Sequence, residues 1–156
     1  MTFICSAKSL LKEYWDLQVP IDPEYFAEKL GLTVIQEPLG YRSGYLDAAG
    51  KTIRVNSTES RVRQRFTVAH ELGHYCLGHS SAEQNSAAIN FGKDYDPAKE
   101  AAANRFAAEL IMPAIAIRAL MECRGITDPI ELRKVLGVSS VALNIRLTAL
   151  GYFLCD

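Results

Sequence analysis

Residues 66–75 read Phe-Thr-Val-Ala-His-Glu-Leu-Gly-His-Tyr, and within them His70, Glu71 and His74 form His-Glu-x-x-His. On a helix, residues four apart lie one above the other on the same face. Such a pair of imidazoles can be directed at one point. Zinc accepts imidazole nitrogen, and a catalytic zinc takes three protein ligands and keeps a position for water. Glu71 lies next to the pair, where a carboxylate can take a proton from that water as general base. All three histidines of the chain fall between His70 and His79.

The flanks read as helix. Residues 61–65 are polar, and Phe66, Val68, Ala69, Leu72, Tyr75 and Cys76 then form an apolar stripe. Ser57 or Thr58 is the expected cap at its start, and Gly78 its stop. Two histidines hold zinc poorly, so a third ligand must come from elsewhere. In the metzincin pattern Gly and His follow the second ligand by three and six residues. Here Gly78 and His79 follow His74 by four and five, so the register is wrong. His79 is expected to cap the last carbonyls of its helix instead. The remaining candidates are Glu100 and Glu109 on a helix at 99–111. Glu100 is preferred because Asn104 stands four residues on, along the same face. A ligating histidine usually donates its other N–H to a fixed acceptor, and Asn104 can be that acceptor.

The elements that must position these groups follow from pattern. Residues 6–17 read as an amphipathic helix with Leu10, Leu11, Tyr14 and Trp15 on or near one face. Asp22, Pro23 and Glu24 open a second helix that ends at Gly31. Strands are expected at 32–35, 41–46 and 52–55, the last two joined by a turn at 47–50. Residues 80–97 read as a long surface loop beside the motif, with room for one short strand at 87–91. Beyond the helix at 99–111, Met112-Pro113 turns the chain. Helices then follow at 114–123, 129–136 and, capped by Ser139 or Ser140, to Leu150. A short apolar tail at 152–154 is expected to dock. The closing pair reads as an αα-hairpin burying Val138, Val141, Ile145 and Leu147.

The chain has 156 residues and a formal charge of −1, so one domain over 1–156 is expected, with 126–156 its C-terminal helical hairpin. Nothing global points to nucleic acid or to a membrane surface. The longest apolar stretch, 110–121, is broken by Pro113 and Arg118. The N-terminus lacks a basic segment followed by a long apolar run, so no signal peptide is expected. Cys5, Cys76, Cys123 and Cys155 form no Cys-x-x-Cys, and free thiols in a reducing cytosol account for them.

Beyond His-Glu-Leu-Gly-His, the run Glu100-Ala101-Ala102-Ala103-Asn104-Arg105-Phe106-Ala107-Ala108-Glu109-Leu110-Ile111-Met112-Pro113 carries a second motif. Together they resemble the ImmA/IrrE family of zinc metallopeptidases, in which Glu-x-x-Ala-Asn-x-Phe-Ala precedes a Leu-Met-Pro ending. The matching positions are His70, Glu71, His74, Glu100, Ala103, Asn104, Phe106, Ala107, Met112 and Pro113. Many members carry a second acidic residue where this chain has Ala102, and Ile111 stands for the more usual Leu. The resemblance implies an α+β, mostly helical zincin-like domain with a small three-stranded antiparallel or mixed sheet. It implies His70, His74 and Glu100 as zinc ligands and Glu71 as base. It also implies a protein substrate, a helix-turn-helix repressor of a mobile element or stress regulon.

An oxyanion formed in that reaction needs a second electrophile besides zinc, for which Tyr95, Tyr41, Tyr45, His79 and Arg42 are the available types. A different class of function rests on residues 132–142, which resemble a helix-turn-helix. That would be a DNA- or partner-binding regulator with a metal site and little hydrolysis. Against DNA stand the absence of a basic balance and a second helix with only Asn144 and Arg146 as readers beyond its serines.

Overall fold

The computed structural model describes residues 5–79 and 96–152. Its elements in order are α1 (Ala7–Tyr14), α2 (Pro23–Lys29), β1 (Thr33–Glu37), β2 (Gly44–Asp47), β3 (Thr52–Asn56), α3 (Arg61–Cys76), α4 (Pro97–Ile111), α5 (Ala114–Arg118) with a π-helical turn (Ala119–Cys123), α6 (Pro129–Leu136) and α7 (Ser140–Ala149). The fold is α+β, mostly helical, with one small mixed sheet. No helix among the described residues is long and apolar enough to cross a membrane. Residues 80–95 of the loop expected at 80–97, with its short strand and Tyr95, lie outside the described residues, as do Phe153 and Leu154; Asp96 and Pro97 instead cap and open α4.

Sheet order is β1-β3-β2, with β1 parallel to β3 and β2 antiparallel to it. Central β3 buries Ile53 and Val55 completely, and Leu46 of β2 joins them. Helix α3 packs on β2 and β3 and, more extensively still, on α4. Its apolar positions Val68, Ala69, Leu72 and Cys76 are buried, as are Ala103, Phe106, Ala107 and Leu110 of α4. The two helices that carry the motif residues are thus fixed to each other by a shared apolar seam.

Several boundaries differ from the expectation. Helix α1 stops at Tyr14, and Leu17 sits at φ 67, outside any right-handed helix. Strand β2 begins only at Gly44, because Asn56 holds the preceding residues in a turn. Its Nδ2 donates to the carbonyls of Gly40 and Arg42, and its Oδ1 accepts from the N–H of Leu39. The cap of α3 is Ser60, whose side chain accepts from Arg63 N–H; Thr58 is drawn into a turn by the same Asn56 Oδ1.

The C-terminal hairpin also packs differently. Val138 and Leu147 are buried as expected, but Val141 and Ile145 are 69% and 65% exposed, and Leu143 takes the inner face. Two apolar stripes compete on this helix, 141/145 and 143/147, about 200° apart at 100° per residue. The left-handed turn at Gly137 (φ 68) and the Ser139 cap set the phase that turns the second stripe inward.

Candidate metal centre

Three side chains from two helices meet at one point. His70 Nε2 and His74 Nε2 lie 3.1 Å apart. Glu100 brings Oε2 to 3.1 Å from the first and Oε1 to 3.1 Å from the second. Glu109 takes no part, whereas Glu100 belongs to the only group among the described residues able to hold a metal ion. His74 is wholly buried and His70 largely so.

The second nitrogens are also held. His70 Nδ1 lies 2.8 Å from Asn104 Oδ1. An amide oxygen only accepts, so Nδ1 carries the proton and Nε2 keeps its lone pair for the shared point. Asn104 therefore fills the acceptor role read from its spacing. Two neutral imidazoles with lone pairs facing a common point, closed by a carboxylate, are the donor set of a divalent first-row metal. At metal–ligand bonds near 2.0–2.1 Å, tetrahedral donors are about 3.3 Å apart, close to the three separations found. The residues fit the metal that the motif implies.

Charge within the site follows from this crowding. In the metal-free site a protonated Nε2 of His70 or His74 can donate to Glu100, and these hydrogen bonds hold its carboxyl far below the usual carboxylate range, against the opposing effect of its burial. Burial pulls His70 down, but its hydrogen bond to Glu100 and the charges of Glu71 and Glu100 outweigh that and raise it. Glu71 is buried too, and burial lifts its carboxyl to about 7, with His70 opposing and Glu100 adding. Its Oε2 has no hydrogen-bond partner among the described residues. A buried carboxylate oxygen left unpaired is costly, and here it belongs to the residue next to the metal donors.

The group opens into a cleft of ≈ 430 Å³ whose walls include Tyr41, Arg42, Gly44, Arg63 and Thr67. Of the expected electrophiles, Tyr41 and Arg42 reach this cleft. Tyr45 instead lies under the Arg42 guanidinium, 5.8 Å from ring centre to Cζ. His79 stands behind His74, its Nδ1 2.6 Å from His74 Nδ1. Its backbone N–H does cap the helix, donating to the His74 carbonyl.

Sequence reasoning missed Gly73. A Cβ built there would lie 3.1 Å from Cβ, Cγ and Cδ1 of Phe106. Gly73 thus lets α4 approach α3 closely enough for Glu100 to reach both imidazoles. Gly73→Ala is expected to lower divalent-metal affinity about 10-fold in a chelator competition, by moving Glu100 a few tenths of an ångström. Stability should change little, because the overpacking is offset by the roughly 1 kcal/mol gain of Ala over Gly in a helix. Unchanged metal affinity would mean that Phe106 yields and the helix spacing is not set here.

This arrangement, two histidines and a glutamate from adjoining helices with a buried glutamate beside them, defines a metallopeptidase-like site. The family model for the IrrE N-terminal-like peptidase domain matches residues 27–148, and the chain belongs to that ImmA/IrrE family. It is 34% identical over 114 residues to the radiation response metalloprotease IrrE of Deinococcus radiodurans, an alignment covering 71% of this chain and 35% of that protein. It is 35% identical over 98 residues to the protein of the same name from Deinococcus deserti, covering 62% and 35%. The aligned region spans about a third of the length of each relative, 35% in both.

Proposed function

We propose that this chain is a zinc-dependent endopeptidase in which His70, His74 and Glu100 hold the metal and Glu71 is the general base. The observation that carries this reading is the convergence of three donors at 3.1 Å beside a buried carboxylate, one oxygen of which has no hydrogen-bond partner among the described residues. When bound, zinc supplies a Lewis acid that brings the pKa of water toward ~7 and polarises a peptide carbonyl. Glu71 takes the proton of the attacking water on Oε2 and delivers it to the leaving amine nitrogen. Its elevated affinity for a proton suits it to hold that proton between the two transfers. Asn104 keeps His70 in the tautomer that presents Nε2. Arg42 and Tyr41 on the cleft wall are the donors nearest in kind to what the developing oxyanion needs.

The cleft also suits a polypeptide. Strand β2 is one of the two edges of the sheet, and its Gly44 lines the cleft. An extended substrate segment can add to such an edge through main-chain hydrogen bonds. The substrate proposed is a helix-turn-helix repressor, as the family resemblance implies, and the radiation response named for the two relatives favours a stress regulon. The free, buried Cys5 and Cys76 support a reducing cytosol as the compartment. The rival reading as a DNA-binding regulator gains nothing from α7, whose outward face carries Val141 and Ile145.

Co-expression with the helix-turn-helix repressor encoded beside this gene tests the proposal. Two repressor fragments whose masses add to the intact chain plus one water are expected, and a chelator should prevent them. An intact repressor beside the zinc-loaded protein would overturn the substrate assignment.

A further inference from the structure

His79 lies five residues beyond His74, too few to complete the metal group in the manner of a longer motif. Its position nevertheless follows from how α3 ends. Leu77, still helical, donates its N–H to the Gly73 carbonyl, and Gly78 turns left-handed at φ 78. The next N–H, that of His79, then reaches back 2.9 Å to the carbonyl of His74. This is the six-to-one bond of a glycine-terminated helix, and it folds residue 79 alongside residue 74. The two imidazoles come to a centroid separation of 4.9 Å, with planes inclined at 54° and Nδ1 atoms 2.6 Å apart.

Two imidazole nitrogens at that distance share one proton: one donates and the other accepts. Which one donates follows from the far side of the His74 ring. His74 Nε2 faces Glu100 Oε1 and His70 Nε2, both at 3.1 Å. To offer a lone pair there, His74 must keep its proton on Nδ1. We infer that His79 is a positioning residue for the metal centre: its Nδ1 accepts the Nδ1 proton of His74 and so fixes the ring and tautomer that present Nε2. This rests on the reading of His74 as a ligand. It assigns His79, just beyond the end of α3, the part that Asn104 plays from α4 for His70, whose Nδ1 meets Asn104 Oδ1 at 2.8 Å. The helix stop and the support of a ligand are then one device, and His-Glu-x-x-His followed by three residues and Gly-His is its signature.

The test is zinc affinity of the whole chain by competition with a chromophoric chelator, read beside the thermal stability of the metal-free protein. His79→Phe keeps a ring but no acceptor, and is expected to weaken zinc 10–100-fold, the usual cost of removing such a partner. His79→Gln, whose amide oxygen can accept, is expected to recover most of that loss. Gly78→Ala keeps every side chain of the centre but opposes the left-handed turn that brings His79 to His74, so it should weaken zinc in the same direction. Cobalt(II) substitution supplies a second readout: the ligand-field bands should shift in His79→Phe and return toward wild type in His79→Gln. Zinc affinity in His79→Phe equal to wild type, or equally poor in His79→Gln, would overturn the inference. If His79→Phe does not fold, Gly78→Ala with wild-type zinc affinity would do so. A wild-type chain that binds no zinc would instead remove the metallopeptidase reading itself.

Discussion

Replacing Glu71 by Gln is expected to leave zinc bound at wild-type stoichiometry and to lower kcat for peptide cleavage by about 10³-fold, within the usual range for losing a general base. The reasoning is local. The group able to hold a metal is His70, His74 and Glu100, and Glu71 is not among them. Glutamine keeps the length and shape of the side chain, so packing in the buried position is preserved. What it loses is the basic oxygen, which is the atom without a hydrogen-bond partner among the described residues. A change confined to proton transfer appears in kcat and kcat/KM alike, with KM nearly constant. Zinc content by atomic absorption and steady-state cleavage of a repressor-derived peptide measure the two halves separately. Undiminished kcat with zinc retained would remove Glu71 from the chemistry.

Much of the site was legible because it is written in helical spacing. His70 and His74, and Glu100 and Asn104, are each four apart, and a four-residue step needs no knowledge of the rest of the chain to place two groups on one face. Helix starts at Asp22, Asp128 and Ser139 were legible for the same reason, since each caps an N–H two or three residues on. The features that escaped are set by contacts between distant segments. The parallel pairing of β1 with β3 depends on the crossover that brings residue 33 beside residue 52, not on either strand alone. Gly73 reads as a neutral position inside a motif until Phe106 is seen against it. Val141 and Ile145 are as apolar as Leu143 and Leu147, and only the phase of the preceding turn decides which pair is buried. His79 had both of its signals in plain view, a helix-stopping glycine and an imidazole after it. Its role needed the three-dimensional consequence of that stop, which returns the chain to His74.

The same burial that suits Glu71 to carry a proton should make the metal-free protein lose stability as pH rises. Its folded carboxyl titrates at about 7 against an ordinary 4.5, and burial is the main cause. Below the ordinary value the group is neutral in both folded and unfolded chains and contributes no pH-dependent difference. Between roughly 4.5 and 7 the unfolded chain ionises while the folded one holds its proton, so unfolding releases a proton and is favoured by rising pH. Above about 7 the folded state carries a buried charge, and the accumulated loss is about 3 kcal/mol, from 1.36 kcal/mol per pKa unit. Glu71→Gln has no such group; the histidines and Glu100 titrate in both proteins, and among them His70 differs by the part of its shift that the Glu71 charge supplies. Urea unfolding in excess chelator should therefore show the stability of Glu71→Gln relative to wild type growing by about 3 kcal/mol from pH 4.5 to pH 8. Zinc should narrow that gap, because a neighbouring cation favours the ionised carboxylate. A difference that stays flat with pH would show that water reaches Glu71 in the metal-free protein, and the proton-holding role assigned to its burial would fall with it.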